Sequence, residues 1–133
     1  MTITDNKQVV LRFNKEFIEG GNTAILDEIV APDFTNHTAV PGVPKDVSGL
    51  IQFIGMLRTG FPDLRVDILD QVGEGDLVAS RKVLRGTHLG NIMGHAPTGK
   101  EVIMNVMDFV RLRDGQYVDH WGRNDVMQVI GQL

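Results

Sequence analysis

Cysteine is missing from this chain of 133 residues, which excludes disulfides, thiolate metal sites and cysteine nucleophiles. Basic clusters are missing too. Thirteen lysines and arginines stand against 17 aspartates and glutamates, a net charge of −4, so an electrostatic grip on nucleic acid is not expected. No stretch approaches the ~18 consecutive apolar residues of a membrane helix. The opening MTITDNKQVV is polar and has no apolar signal core, so a soluble cytoplasmic protein with no membrane association is expected. What is present is ordinary for a globular protein: 42% apolar and 23% charged residues, in a length that fits one domain (1–133) with a buried core.

The first half of the chain carries helical spacing. Val9, Val10, Phe13, Phe17 and Ile18 predict a helix capped by Thr4 or Asp5 and stopped at Gly20-Gly21. Ile25, Leu26, Ile29 and Val30 predict a shorter one ending before Pro32, followed by an extended piece from Asp33 to His37. A third spans Ser48 to Leu57. Beyond Pro62 the period becomes 2, with strands over Leu64–Val72 and Leu77–His88, then a glycine-rich loop over 89–99. Helices followed by adjacent strands predict an α+β fold: a curved antiparallel sheet wrapped around about three N-terminal helices, leaving a cone-shaped cavity.

The last strands form the most informative stretch, Val102 to Asp125. Asp114-Gly115 suits a two-residue type I′ turn, which pairs Arg113 with Gln116, Asp108 with Trp121, Val106 with Arg123 and Met104 with Asp125. In that register Met104, Asp108, Asp119, Trp121, Arg123 and Asp125 share one face with Val106, Val110, Leu112 and Tyr117. Asn105, Arg111, His120 and Asn124 share the other with Ile103, Met107, Phe109 and Val118. Charges set into apolar faces indicate a pocket wall. Asp108 and Asp125 fall roughly 13–15 Å apart in a flat ladder, too far to share a proton.

Four segments, Phe61-Pro62-Asp63-Leu64, Gly86-Thr87-His88-x-Gly90, Pro97-Thr98-Gly99-Lys100 and Asp119-His120-Trp121, occur in an order and spacing similar to SnoaL-like polyketide cyclases. These are the ester-cyclase branch of the nuclear-transport-factor-2-like superfamily. The resemblance implies a cone-shaped α+β barrel of cystatin-like form, commonly a homodimer. It also implies intramolecular aldol cyclisation, or a related isomerisation, of a small apolar carbonyl compound, with an aspartate as acid and base and no metal or cofactor. The superfamily also holds hydrolases and proteins without catalysis, so a ligand-binding or dimerisation module remains the alternative from another class.

Within that reading Asp125 is the first candidate for the acid/base, since it best matches the family's aspartate; the structural alternative is a cap for a short helix over Val126–Ile130. Asp108 is the second, against an ion pair with Arg123. Asp108, Arg123 and Asp125 together resemble the water-activating set of limonene-epoxide-hydrolase-like relatives, although the chain order differs. His37 and His88 are expected as orienting groups at the cavity mouth. Trp121 and Met104 are expected as pocket walls, and Arg81 either as a partner of Asp108 or as a contact to a substrate carbonyl. His120 is a further substrate-side candidate, with packing or a dimer contact as its structural alternative. The outer apolar residues Ile103, Met107, Phe109 and Val118, which three helices cannot also cover, support the homodimer.

Overall fold

Thr2, not Thr4 or Asp5, starts the first helix in this computed structural model, which describes residues 1–133. Its hydroxyl accepts the Asp5 N–H while the Asp5 carboxylate accepts the Thr2 N–H, each at 3.0 Å, so two orphan donors are satisfied reciprocally. This helix, α1 (Ile3–Arg12), continues as a π-helical segment over Phe13–Glu19 before Gly20 and Gly21. In the π-helical segment Phe13, Asn14, Phe17 and Ile18 are all buried.

A 3₁₀ turn (Thr23–Ile25) leads into α2 (Leu26–Ile29), and the chain straightens earlier than expected, into β1 (Val30–Asn36). Pro32 sits inside β1, which is tolerable because β1 is an edge strand. Then come α3 (Val47–Gly60), β2 (Arg65–Glu74), β3 (Leu77–Thr87), β4 (Glu101–Arg113), β5 (Gln116–Asn124) and α4 (Val126–Gly131). The five strands lie in the order β1-β5-β4-β3-β2. All neighbours are antiparallel except β1, which runs parallel to β5. The α+β architecture is as expected, a curved sheet around helices, though the sheet does not close into a barrel. One continuous core joins Val10, Phe13 and Phe17 of the first helix and Ile54 and Leu57 of α3 to Leu84, Met104, Val110 and Tyr117 of the sheet. No helix is long and apolar enough to cross a membrane.

The β4–β5 hairpin starts as its turn dictates. Asp114 and Gly115 have φ of +53° and +76°, and Arg113 pairs with Gln116 and Leu112 with Tyr117. One step further a bulge intervenes: Arg111 pairs with Asp119, leaving Val118 as the extra residue. Every β5 side chain beyond it therefore points opposite to the unbulged expectation. Trp121 now pairs with Phe109 and Arg123 with Met107 on the outer face, while His120 pairs with Val110 on the inner face. Because Gly115 holds a left-handed backbone, Gly115→Ala is expected to cost about 1 kcal/mol or more in urea unfolding. A midpoint equal to wild type would count against the type I′ turn as the element that pins this hairpin.

Candidate active site

Three ionisable side chains meet on the inner face, the bulge having turned His120 towards Lys82 and Asp108. Lys82 of β3, Asp108 of β4 and His120 of β5 are diagonal neighbours, Ser80 and Gly122 being the residues directly opposite Asp108. Lys82 Nζ lies 3.2 Å from Asp108 Oδ2, and both side chains are almost fully buried, at 5% and 7% exposure. His120 Nε2 lies 3.2 Å from the same Oδ2. On the far side of the ring, Nδ1 is 2.9 Å from Asn36 Oδ1 at the end of β1. His120 thus bridges Asp108 and Asn36 through its two ring nitrogens. Lys82 also donates to Asn14 Oδ1 at 2.6 Å, and Asn14 Nδ2 donates to the Val10 carbonyl. Gly122 leaves room for the set: a Cβ there would stand 3.0 Å from His120 Cε1 and 3.6 Å from Asp108 Cβ.

Two forces compete over Asp108. Burial alone raises its pKa, but the charges and hydrogen bonds of Lys82 and His120 outweigh it and hold the group at about 2. The carboxylate is therefore ionised at neutral pH. Its Oδ2 is shared by Lys82 and His120, whereas its Oδ1 is buried and bonded to nothing, as is the Ser80 hydroxyl. Such orphans are rare among buried polar atoms and each calls for an explanation. Burial, and then the charge of Asp108, push the Tyr117 phenol well above its ordinary pKa, so it stays neutral.

Lys82, Asp108, Tyr117 and His120 form one wall of an apolar cavity of about 100 Å³ between helices and sheet. Phe13, Phe34, Phe53, Leu57, Leu84 and Val106 contribute its apolar lining. Thr38, Ala39, Val40 and Val43, in the loop between β1 and α3, cover one side. This volume suits a single small ring; ligands of several rings need a few hundred Å³, hence outward movement of that loop.

The other expected site residues lie elsewhere, Asp125, Arg123 and Trp121 because of the register shift. Asp125 does not share a face with Met104: its carboxylate accepts the backbone and side-chain N–H groups of Asn105, at 2.7 and 2.9 Å, outside the cavity. It occupies the residue before α4 but makes no side-chain cap bond, so the capping alternative is not met either. Arg123 is exposed on the outer face and donates to the Gly122 carbonyl, not to Asp108. The water-activating trio therefore does not converge. Arg81 also points outward and pairs with Asp70 at 2.6 Å, not with Asp108. Trp121 stacks on His37 with centroids 4.8 Å apart, and His37 Nε2 meets Asp119 Oδ1 at 2.7 Å, all outside the cavity. Met104 is wholly buried core that does not reach the cavity surface. His88 is buried too, its Nδ1 bonded by the Thr98 N–H and hydroxyl.

That last contact explains three of the four recognisable segments. Asp63 accepts the Thr87 N–H and hydroxyl, Gly86 packs beneath Phe61, and His88 grips Thr98, so these motifs hold one another. Only His120 of the fourth enters the cavity. Lys82, Asn14 and Asn36 escaped sequence reasoning. Lys82 did leave a signal, since it alternates with Val78, Ser80 and Leu84 on the buried face of β3. The adjacent apolar pair Tyr117-Val118 likewise breaks strict alternation where the bulge occurs. No three His, Asp or Glu side chains converge in a group able to hold a metal ion.

Comparison with known proteins agrees with this architecture. Residues 8–133 match the family described as SnoaL-like polyketide cyclase. Nogalonic acid methyl ester cyclase of Streptomyces nogalater is 27% identical over 115 residues, which is 85% of this chain and 86% of that protein. The crystal structure of wild-type IdmH from Streptomyces antibioticus superimposes with a TM-score of 0.83 at 33% identity, covering 96% of each chain. AclR from Streptomyces galilaeus gives 0.85 at 22% identity over 99% of this chain and 84% of its own, a likeness of fold alone.

Proposed function

Since the chain belongs to the SnoaL-like polyketide cyclase family, we propose that it closes a ring in a small, apolar, polyketide-type carbonyl compound by acid/base chemistry, with Asp108 as the acid and base and His120 holding it. The observation that carries this reading is Asp108, an ionised and almost fully buried carboxylate that lines an apolar cavity and whose Oδ1 has no partner in the protein. Asp108 removes a proton from a carbon next to a carbonyl, and the resulting enolate attacks a second carbonyl of the same molecule. Asp108 then gives the proton it took to the new alkoxide, which restores the carboxylate, while the 3.2 Å contact of His120 with Oδ2 holds it in place. A base this weak suits only carbon already acidified by neighbouring carbonyls, where the enolate is delocalised. The cycle is complete in these side chains and calls on no cofactor.

The test needs no knowledge of the natural substrate. In deuterium oxide the protein is expected to exchange the hydrogens beside the carbonyl of a small aryl ketone faster than buffer does, followed by proton NMR. A protein that binds the ketone without exchanging them is a binding module instead.

The same proposal includes a homodimer through the outer face of the sheet. Met107 and Phe109 are 62% and 54% exposed there, beside exposed Leu69, Val72 and Ile103, although Val118 is buried. Sedimentation at micromolar concentration is expected to show a dimer that Phe109→Glu shifts towards monomer. A wild-type protein that sediments only as monomer would remove this part of the proposal.

A further inference from the structure

The buried cation beside Asp108 has a capacity that the proton cycle does not use. Lys82 carries three N–H donors, of which one goes to Asn14 Oδ1 and one faces Asp108 Oδ2. The third has no acceptor in the protein, and Lys82 lines the apolar cavity. Its geometry is held from behind. Asn14 is almost completely buried in the π-helical segment and is fixed by its own bond to Val10, so the ammonium is presented from a rigid support. Single π-helical stretches within α-helices often coincide with functional positions.

We propose that Lys82 forms an oxyanion subsite: it receives the oxygen of the ligand as that oxygen becomes negative, which assigns the ligand to enolisable carbonyl compounds or phenols that bind through an anionic oxygen. The charges support this. At rest the negative charge of Asp108 and the Lys82 ammonium face each other across 3.2 Å and cancel. Once Asp108 takes up a proton, the ammonium is left to pair with the anionic oxygen of the ligand. When Asp108 takes the proton from carbon, its own negative charge disappears as the one on the ligand oxygen forms, so the total is unchanged. An ammonium already in place and desolvated costs no reorganisation at that moment. Asn14 acts through Lys82 as a positioning residue.

This inference rests on the cavity being the ligand site, and it is tested through the ionisation of a bound probe, which requires no proton to leave carbon. A nitrophenol, whose anion is yellow, is small enough for the cavity. Titrated with the protein near its own pKa, it is expected to bind as the anion, with its visible absorption growing as the cavity fills. The wild type should hold the phenolate roughly tenfold or more tighter than the Lys82→Met protein, as for a lost hydrogen bond to a charged group. Binding of the nitrophenyl methyl ether, which cannot ionise, should stay within a few-fold. If Lys82→Met fails to fold, the neutral pair Lys82→Met/Asp108→Asn keeps the comparison available, because no lone charge is then left buried. Equal phenolate affinity in wild type and variant, or a bound phenol that stays colourless, overturns the subsite and leaves the proton cycle standing. No binding of any probe overturns both.

Discussion

Asp108→Asn is expected to lower the rate of carbon–hydrogen exchange by about 10²–10⁴-fold, the usual contribution of a positioned general base. The amide keeps the volume and leaves neighbouring distances within reach, but it offers no oxygen able to take a proton. Asp125→Asn is the informative comparison, since sequence resemblance alone favours that residue. Its carboxylate serves the Asn105 N–H groups outside the cavity, so its loss should act on stability near the start of α4, by about 1 kcal/mol, far more than on exchange. A large exchange defect in Asp125→Asn together with a near-normal Asp108→Asn would sink the assignment of the base.

Lys82→Met is expected to destabilise the protein by about 3–5 kcal/mol in urea unfolding, because it leaves the ionised Asp108 buried without its ammonium partner. Removing both charges in Lys82→Met/Asp108→Leu should recover most of that loss, since a well-packed apolar pair replaces a buried ion pair at little cost. The cycle built from the single and double variants would then give a strongly favourable coupling between the two side chains. Additive effects would mean that the pair does not interact as its 3.2 Å separation implies.

The same pair sets an acid limit. The folded pKa of Asp108, about 2, lies below the ordinary value of 3.8, so its contribution is fully present above about pH 4. It disappears as pH falls towards 2, a loss of about 2 kcal/mol for a group this buried. Unfolding free energies measured between pH 5 and pH 2 should show a limb that is missing from Asp108→Asn; the persistence of that limb in the variant would assign it to other carboxylates.

Period and punctuation were enough to place most helices and strands, although Val30, expected in the second helix, opens β1. Apolar spacing located α1 and α3, the switch to alternation marked the sheet, and Asp114-Gly115 fixed both the hairpin and its first two residue pairs. Asp108 was also legible as a charge set into an apolar strand face. The rest of the site was not. Alternation carries no record of an inserted residue, and the single bulge at Val118 exchanges the roles of the two faces from Asp119 onward. His120 thereby replaces Trp121 and Arg123 as the neighbour of Asp108, and the residues named for the expected wall become outer surface.

Sequence by itself therefore determined the elements, their order, the family, and one carboxylate that had to be paired or used. Those follow from local propensities and from resemblance, which act along the chain. Only the tertiary structure decided what surrounds that carboxylate. Lys82, Asn14, Asn36 and His120 come from four separate elements, and their meeting depends on sheet register and on a widened helical turn. Spacing along one chain does not encode those distances.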